Sequence, residues 1–365
     1  MKRYLLLVAL ALLMAGCKTA DTFYLGADLS YVNELEDCGA KYQYNGKPVA
    51  PYALFKEKGC NLVRIRLWHN PVTPYSNFED VKKSLKKAKA QNMDALLDLH
   101  YSDTWADPGR QDIPAAWAAI TDVNILADSV YNYTKRTLLA LDKENLLPKM
   151  VQVGNETNSE VMQPAGKPKD KIDWKRNALL LNSGLRAVRE TSKELGKDIE
   201  VMLHVAQPEN ALWWFKDATA AGITDYDRIG LSYYPLWSDV KFDGLPKAID
   251  SLVTTYNKKV MIVETAYPNT MKNVDKANNI LDEKALFKGY PATPQGQKDY
   301  MIKLVQLVKQ GGGSGVIYWE PAWVTSSCKT LWGEGSHWDN ATFFDSQNNN
   351  EALPAFDFYN TKNYK

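Results

Sequence analysis

The chain has 365 residues, 45% apolar and 24% charged, the composition of a globular protein with ample length for a large core. Its 44 basic and 43 acidic residues leave a net charge of +1 with no basic block, so no nucleic-acid partner is expected. The 11 Trp and 20 Tyr often stand beside polar residues, as in SDTWADP, ALWWF, SYYPLW and YWEPAW. Most such rings belong to cores, but those in polar loops also make flat platforms for sugar rings.

Residues 1–16 carry Lys2 and Arg3 ahead of an apolar stretch too short to span a bilayer, the pattern of an export signal. The run Met14, Ala15, Gly16, Cys17 resembles a bacterial lipobox, with Met14 where that pattern prefers Leu. The resemblance implies that Cys17 becomes a lipidated first residue, that residues 17–23 form a short tether, and that the protein is exported and anchored to the bacterial envelope, at the outer membrane or cell surface. The alternative is an ordinary signal peptide with a chance cysteine. Cys38, Cys60 and Cys328 then remain, and Cys38 with Cys60 is the expected pair because the intervening loop is short. No C-x-x-C or His/Cys cluster suggests zinc.

Apolar, β-branched runs predict strands at 24–31, 62–68, 94–101, 149–156, 199–206, 228–235, 259–268 and 314–323. Between them lie charged amphipathic segments such as EDVKKSLKKAKAQ and GQKDYMIKLVQLVKQGG, which predict helices. Eight near-continuous apolar strands alternating with helices predict a single-domain α/β fold, a (β/α)8 TIM barrel over residues 24–365, with a doubly wound open sheet as the alternative. The longer inserts, 101–118, 157–172, 269–296 and 324–345, all follow strands. In a barrel they share the C-terminal face, where active sites are built.

Each predicted strand ends in polar or aromatic groups, which taken singly is a chain reaching water. The two sharpest ends are Glu156 in VGNETN and Glu264 in IVETAYP, after strands four and seven. Two carboxylates on one barrel mouth can flank a glycosidic bond, one protonating the leaving oxygen and the other attacking the anomeric carbon. The competing reading pairs them structurally with Arg64 or Arg66. No G-x-S-x-G elbow, P-loop or G-x-G-x-x-G is present.

Together GADLS, VRIRLWHNP, LHYSDTWADP, VGNETN, LSYYP, VETAYP and YWEPAW resemble glycoside hydrolase family 53, the endo-β-1,4-galactanases of a large retaining clan with (β/α)8 folds, over about residues 24–345. The resemblance implies endo-hydrolysis of β-1,4-galactan and arabinogalactan type I by double displacement, with Glu156 as acid/base and Glu264 as nucleophile. Asn155 would hold the 2-hydroxyl of the sugar beside the cleavage point, and Arg64 would orient the nucleophile. Asp28, His100, Asp103, Trp105, His204, Tyr233 and Trp319 would line the sugar sites, against barrel-mouth packing for the two indoles and a satisfied core position for His204. Some bacterial members bind calcium between the seventh and eighth loops. Here KNVDKANNI offers Asn273, Asp275 and Asn279 but Ala277 where a His would stand, so structural calcium is a candidate only. Others tie these loops with a disulfide, but loop seven has no cysteine to meet Cys328. Catalysis needs no cofactor, and the expected partners are galactan, galacto-oligosaccharides and, through the anchor, a membrane, with the protein a monomer. The rivals are another retaining β-glycanase, such as a mannan-directed one, and a non-catalytic glycan-binding lipoprotein. The second would be expected to lack one of the two Glu, and both are here.

Overall fold

The computed structural model describes residues 22–164, 171–327 and 329–364; the export segment, Cys17 and Cys328 lie outside them. Eight parallel strands close into a barrel in chain order: β1 (Tyr24–Asp28), β2 (Leu62–Leu67), β3 (Asp94–Leu99), β4 (Met150–Val153), β5 (Glu200–Ala206), β6 (Arg228–Ser232), β7 (Lys259–Glu264) and β8 (Gly315–Tyr318). Tyr24 opposite Gly315 closes the ring. No strand edge of the barrel is left unpaired, and helices cover its outer face.

Those helices are α1 (Val32–Asp37), α2 (Pro51–Lys58), α3 (Phe78–Ala90), α4 (Val123–Lys143), α5 (Trp174–Leu195), α6 (Pro208–Ala220), α7 (Leu245–Tyr256) and α8 (Pro294–Gln310). Their starts follow capping chemistry: the side chains of Asn77, Asp122, Asp173 and Thr293 each accept a backbone N–H of the first turn of α3, α4, α5 and α8. A small sheet of 42–44, 47–49, 344–345 and 351–352 ties the segment after β1 to the C-terminal region.

The barrel interior explains where chemistry can sit. Side chains alternate along a strand, so residues two apart share a face. Leu62, Leu96, Met150 and Met202 pack in one buried apolar cluster at the lower end. Two residues further up the same strands stand Arg64, Asp98, Gln152 and His204, all buried. The same inward stripe therefore changes from oil to a polar network on approaching the C-terminal mouth.

Seven of the eight strands stop short of their predicted ends, three of them just before a left-handed turn. Expected to reach residues 101, 156 and 323, β3, β4 and β8 end at Leu99, Val153 and Tyr318. The chain then turns through the left-handed region at Tyr101 (φ 49°), Glu156 (φ 43°) and Glu320 (φ 47°), and apolar patterning carries no signal for such turns.

The expected Cys38–Cys60 disulfide does not form. Cys38 is disulfide-bonded, while Cys60 is a free buried thiol whose Sγ donates to the Leu62 carbonyl at 3.4 Å. Cys38 caps α1 beyond the C-terminal end of β1, whereas Cys60 lies just before β2 at the opposite end of the barrel. A short loop in sequence crosses the full height of the fold.

Candidate active site

A cleft of about 1070 Å³ opens at the C-terminal mouth, with Glu156 and Glu264 in its wall beside Asn155, Trp105 and Trp319. Glu264 ends β7 and is 7% exposed. Glu156 stands three residues past β4, on a turn begun by Gly154 at φ 83°. A Cβ at Gly154 would meet Thr157 Cγ2 at 2.6 Å, so the turn requires glycine. This turn, not the strand itself, aims the Glu156 carboxyl.

The two carboxyls have different neighbours. Glu264 Oε1 lies 2.8 Å from the Arg64 guanidinium, and Oε2 accepts from the Tyr234 hydroxyl at 3.2 Å. Burial raises the Glu264 carboxyl to about 7 against the pull of Arg64. Among the described residues Glu156 pairs with no cation; its Oε1 accepts from Ser232 Oγ at 2.5 Å. Burial, and then the negative charge of Glu264, hold its carboxyl well above the usual range. Glu264 therefore ionises first and Glu156 keeps its proton, the division of labour of a nucleophile and an acid.

Behind them lies a polar network. Arg64 donates to Asp28 Oδ2 at 2.9 Å, Asp98 Oδ2 at 2.8 Å, Asn155 Oδ1 at 2.7 Å and Gln152 Oε1 at 3.3 Å. Although burial opposes it, Arg64 helps hold the Asp98 carboxyl below its usual value. Asn155 Nδ2 donates to the Ala106 carbonyl at 2.7 Å, which leaves its second hydrogen for a ligand. Burial lowers the His204 pKa, keeping the ring neutral. With the Glu156 backbone N–H donating to His204 Nδ1 at 3.3 Å, Nε2 is the donor to Ser232 Oγ at 2.9 Å, and Ser232 in turn donates to Glu156. A closed ring of hydrogen bonds fixes Glu156.

Five residues expected to line sugar sites lie elsewhere. Asp28, His100 and His204 are buried beneath the floor; His100 bridges Asp98 and the Ala106 N–H. Asp103 caps the backbone N–H groups of Asn70 and Ala115. Tyr233 is fully buried against Phe242, and its neighbour Tyr234 faces the cleft instead.

The calcium candidates also bond within the protein. Asp275 accepts from the N–H groups of Ala277 and Ser336, each at 2.7 Å, and from Thr325 Oγ1 at 2.9 Å; Asn273 Oδ1 accepts from Asn279 Nδ2 at 2.7 Å. Nearby, Asn279 Oδ1, Asp339 Oδ1 and Asn340 Oδ1 are buried acceptors without a hydrogen-bond partner among the described residues. Side-chain oxygens of this kind are the donors that calcium takes, and Ala277 adds none.

A model of glycosyl hydrolase family 53 matches residues 24–359. The chain belongs to glycosyl hydrolase family 53. It is 58% identical to a Cellvibrio japonicus protein named arabinogalactan endo-beta-1,4-galactanase, over 97% of this chain and 96% of that one. Among solved structures, the Ignisphaera aggregans GH53 catalytic domain aligns with a TM-score of 0.83 at 30% identity, covering 92% of this chain and 95% of that one. A structure of fungal beta-1,4-galactanases aligns at 0.79 and 28%, covering 92% and 98%.

Several parts of this family 53 site escape a reading of strand ends. Asp98 and Gln152 share the inward stripe with His100 and His204, and strand alternation could have found them. Tyr234 shares its face with Ser232 by the same rule. Trp323, Trp332 and Trp338 join the cleft wall from the segment after β8, and Gln207, at φ 60°, joins it from the end of β5. Their sequence context has no period, so only the aromatic abundance hinted at them.

Proposed function

We propose that this family 53 protein is an endo-acting glycoside hydrolase that cleaves β-1,4-galactosidic bonds in galactan and arabinogalactan type I with retention of configuration. The observation that carries this reading is the pair of carboxyls on one aromatic-walled cleft, Glu264 beside a guanidinium and Glu156 beside a serine hydroxyl. Glu264 attacks the anomeric carbon while Glu156 protonates the departing oxygen; Glu156 then takes a proton from water, which displaces the sugar from Glu264. Only water is consumed, so no cofactor is needed. The name of the Cellvibrio japonicus relative supports galactan as the substrate, and the indoles of Trp105 and Trp319 suit the apolar faces of galactosyl rings.

Linear galactan is expected to fall to oligosaccharides of mixed length early in digestion, while mannan is left intact. Proton NMR should show the β-anomer as the first reducing end formed. Release of the α-anomer first would remove Glu264 from the nucleophile role, and cleavage of mannan in preference to galactan would overturn the substrate.

The protein acts, in this reading, as a monomer on galactan and galacto-oligosaccharides at the bacterial envelope, held by lipid on Cys17. Acyl chains partition an attached domain into membrane. Cys17→Ala is therefore expected to move the protein from the membrane to the soluble fraction with activity retained. A wild-type protein already in the soluble fraction would sink the anchor.

A further inference from the structure

Beside the carboxyl pair and its network, the barrel mouth holds a second buried ion pair. Arg66, two residues above Arg64 on β2, lies 2.9 Å from Glu320 Oε1, and the two side chains are 2% and 0% exposed. Neither lines the cleft. Burying such a pair costs desolvation that it only partly recovers, so stability alone is a weak reason for it.

The faces of the guanidinium suggest another reason. Its carbon lies 4.3 Å from the centre of the Tyr31 ring and 4.4 Å from that of Trp105, within cation–π range. Trp105 is in the cleft wall, and among the described residues no hydrogen bond holds its indole. Tyr31 stacks on Trp323 at 4.0 Å and 23°, and its hydroxyl accepts from Trp332 Nε1 at 2.7 Å. The other Glu320 oxygen accepts the Tyr31 N–H at 3.3 Å. The left-handed turn at Glu320 sends its carboxylate under the floor while Trp319, one residue earlier, faces the cleft.

We infer that Arg66 and Glu320 are positioning residues for substrate affinity: the guanidinium, held by Glu320, fixes Trp105 and through Tyr31 the aromatic wall on which the glycan lies. This rests on the galactan reading above. The pair acts on binding and not on the bond-breaking step, because it contacts neither Glu156 nor Glu264.

The test is a double-mutant cycle with Trp105 on linear galactan. Arg66→Met with Glu320→Gln removes both charges, so no unpaired charge stays buried, and the Gln oxygen still accepts the Tyr31 N–H. This variant is expected to raise KM about fivefold to tenfold, between the scales of an exposed and a fully desolvated cation–π contact, with kcat within about twofold. Trp105→Ala should raise KM at least as much, and adding the pair of substitutions to it should change KM little further. Arg66→Lys keeps the charge but not the planar face, so it should not restore KM. Unchanged KM in the folded pair variant, or KM effects that multiply fully with Trp105→Ala, would overturn the inference while wild type still cleaves galactan. Should wild type fail to cleave galactan, the substrate reading falls and takes this inference with it. If the pair variant does not fold, Glu320→Gln alone carries the same cycle and the same two outcomes.

Discussion

Glu264→Ala is expected to lower kcat on linear galactan by roughly 10⁴-fold or more, the scale seen when a nucleophile is removed. Glu156→Ala should cost about 10²–10⁴-fold, the range for a general acid. Both variants should stay folded, since each loses a carboxyl whose burial already disfavours its charge. The pH dependence separates the roles. Activity needs Glu264 ionised, so it should rise as pH passes about 7, and it needs Glu156 protonated, so it should fall at higher pH. Glu156→Gln should retain the acid limb and lose the alkaline one. A basic limb that survives in Glu156→Gln would show that another group supplies the proton. Stability should follow the opposite sense from the usual carboxylate. A carboxyl raised in the folded state binds its proton more tightly there, so its contribution is complete below 4.5 and is lost as pH climbs through about 7. Circular dichroism melts of wild type and Glu264→Gln across that window would check it, the variant being flatter.

The barrel and its two carboxyls were legible because they leave periodic or chemical marks. Eight apolar runs between amphipathic segments imply a closed parallel sheet, and Glu156 and Glu264 follow two of those runs onto one cleft. What was not legible depends on backbone turns and on contacts between distant segments. Tyr233 and Tyr234 are adjacent and alike in sequence, and only the face shared with Ser232 places Tyr234 at Glu264 Oε2. The Cys38–Cys60 expectation failed because loop length says nothing about which end of a barrel each residue occupies. Asp28, His100 and His204 sit at polar strand ends as expected, yet they serve the wall from behind. A strand-end reading cannot tell a ligand contact from the residue that orients it.

Arg64 tests that distinction at its strongest. It is 1% exposed and is the cation that Asp28, Asp98 and Glu264 share, each within 2.9 Å. Replacing it with Met keeps much of the volume but leaves three carboxylates buried without their partner, and breaking a buried pair in this way typically costs about 3–5 kcal/mol. Urea denaturation of Arg64→Met at neutral pH should show a loss of at least that size. The loss should shrink at acid pH, because protons can then neutralise the stranded carboxyls, whereas in wild type Arg64 already does so. Activity should fall further than stability explains: without the guanidinium at 2.8 Å, Glu264 holds its proton to higher pH and the acid limb moves up. A loss below about 1 kcal/mol, or an acid limb that stays in place, would mean that Arg64 only fills space. The expected coupling runs the other way: the charge that holds the barrel mouth together is the charge that draws the proton off Glu264.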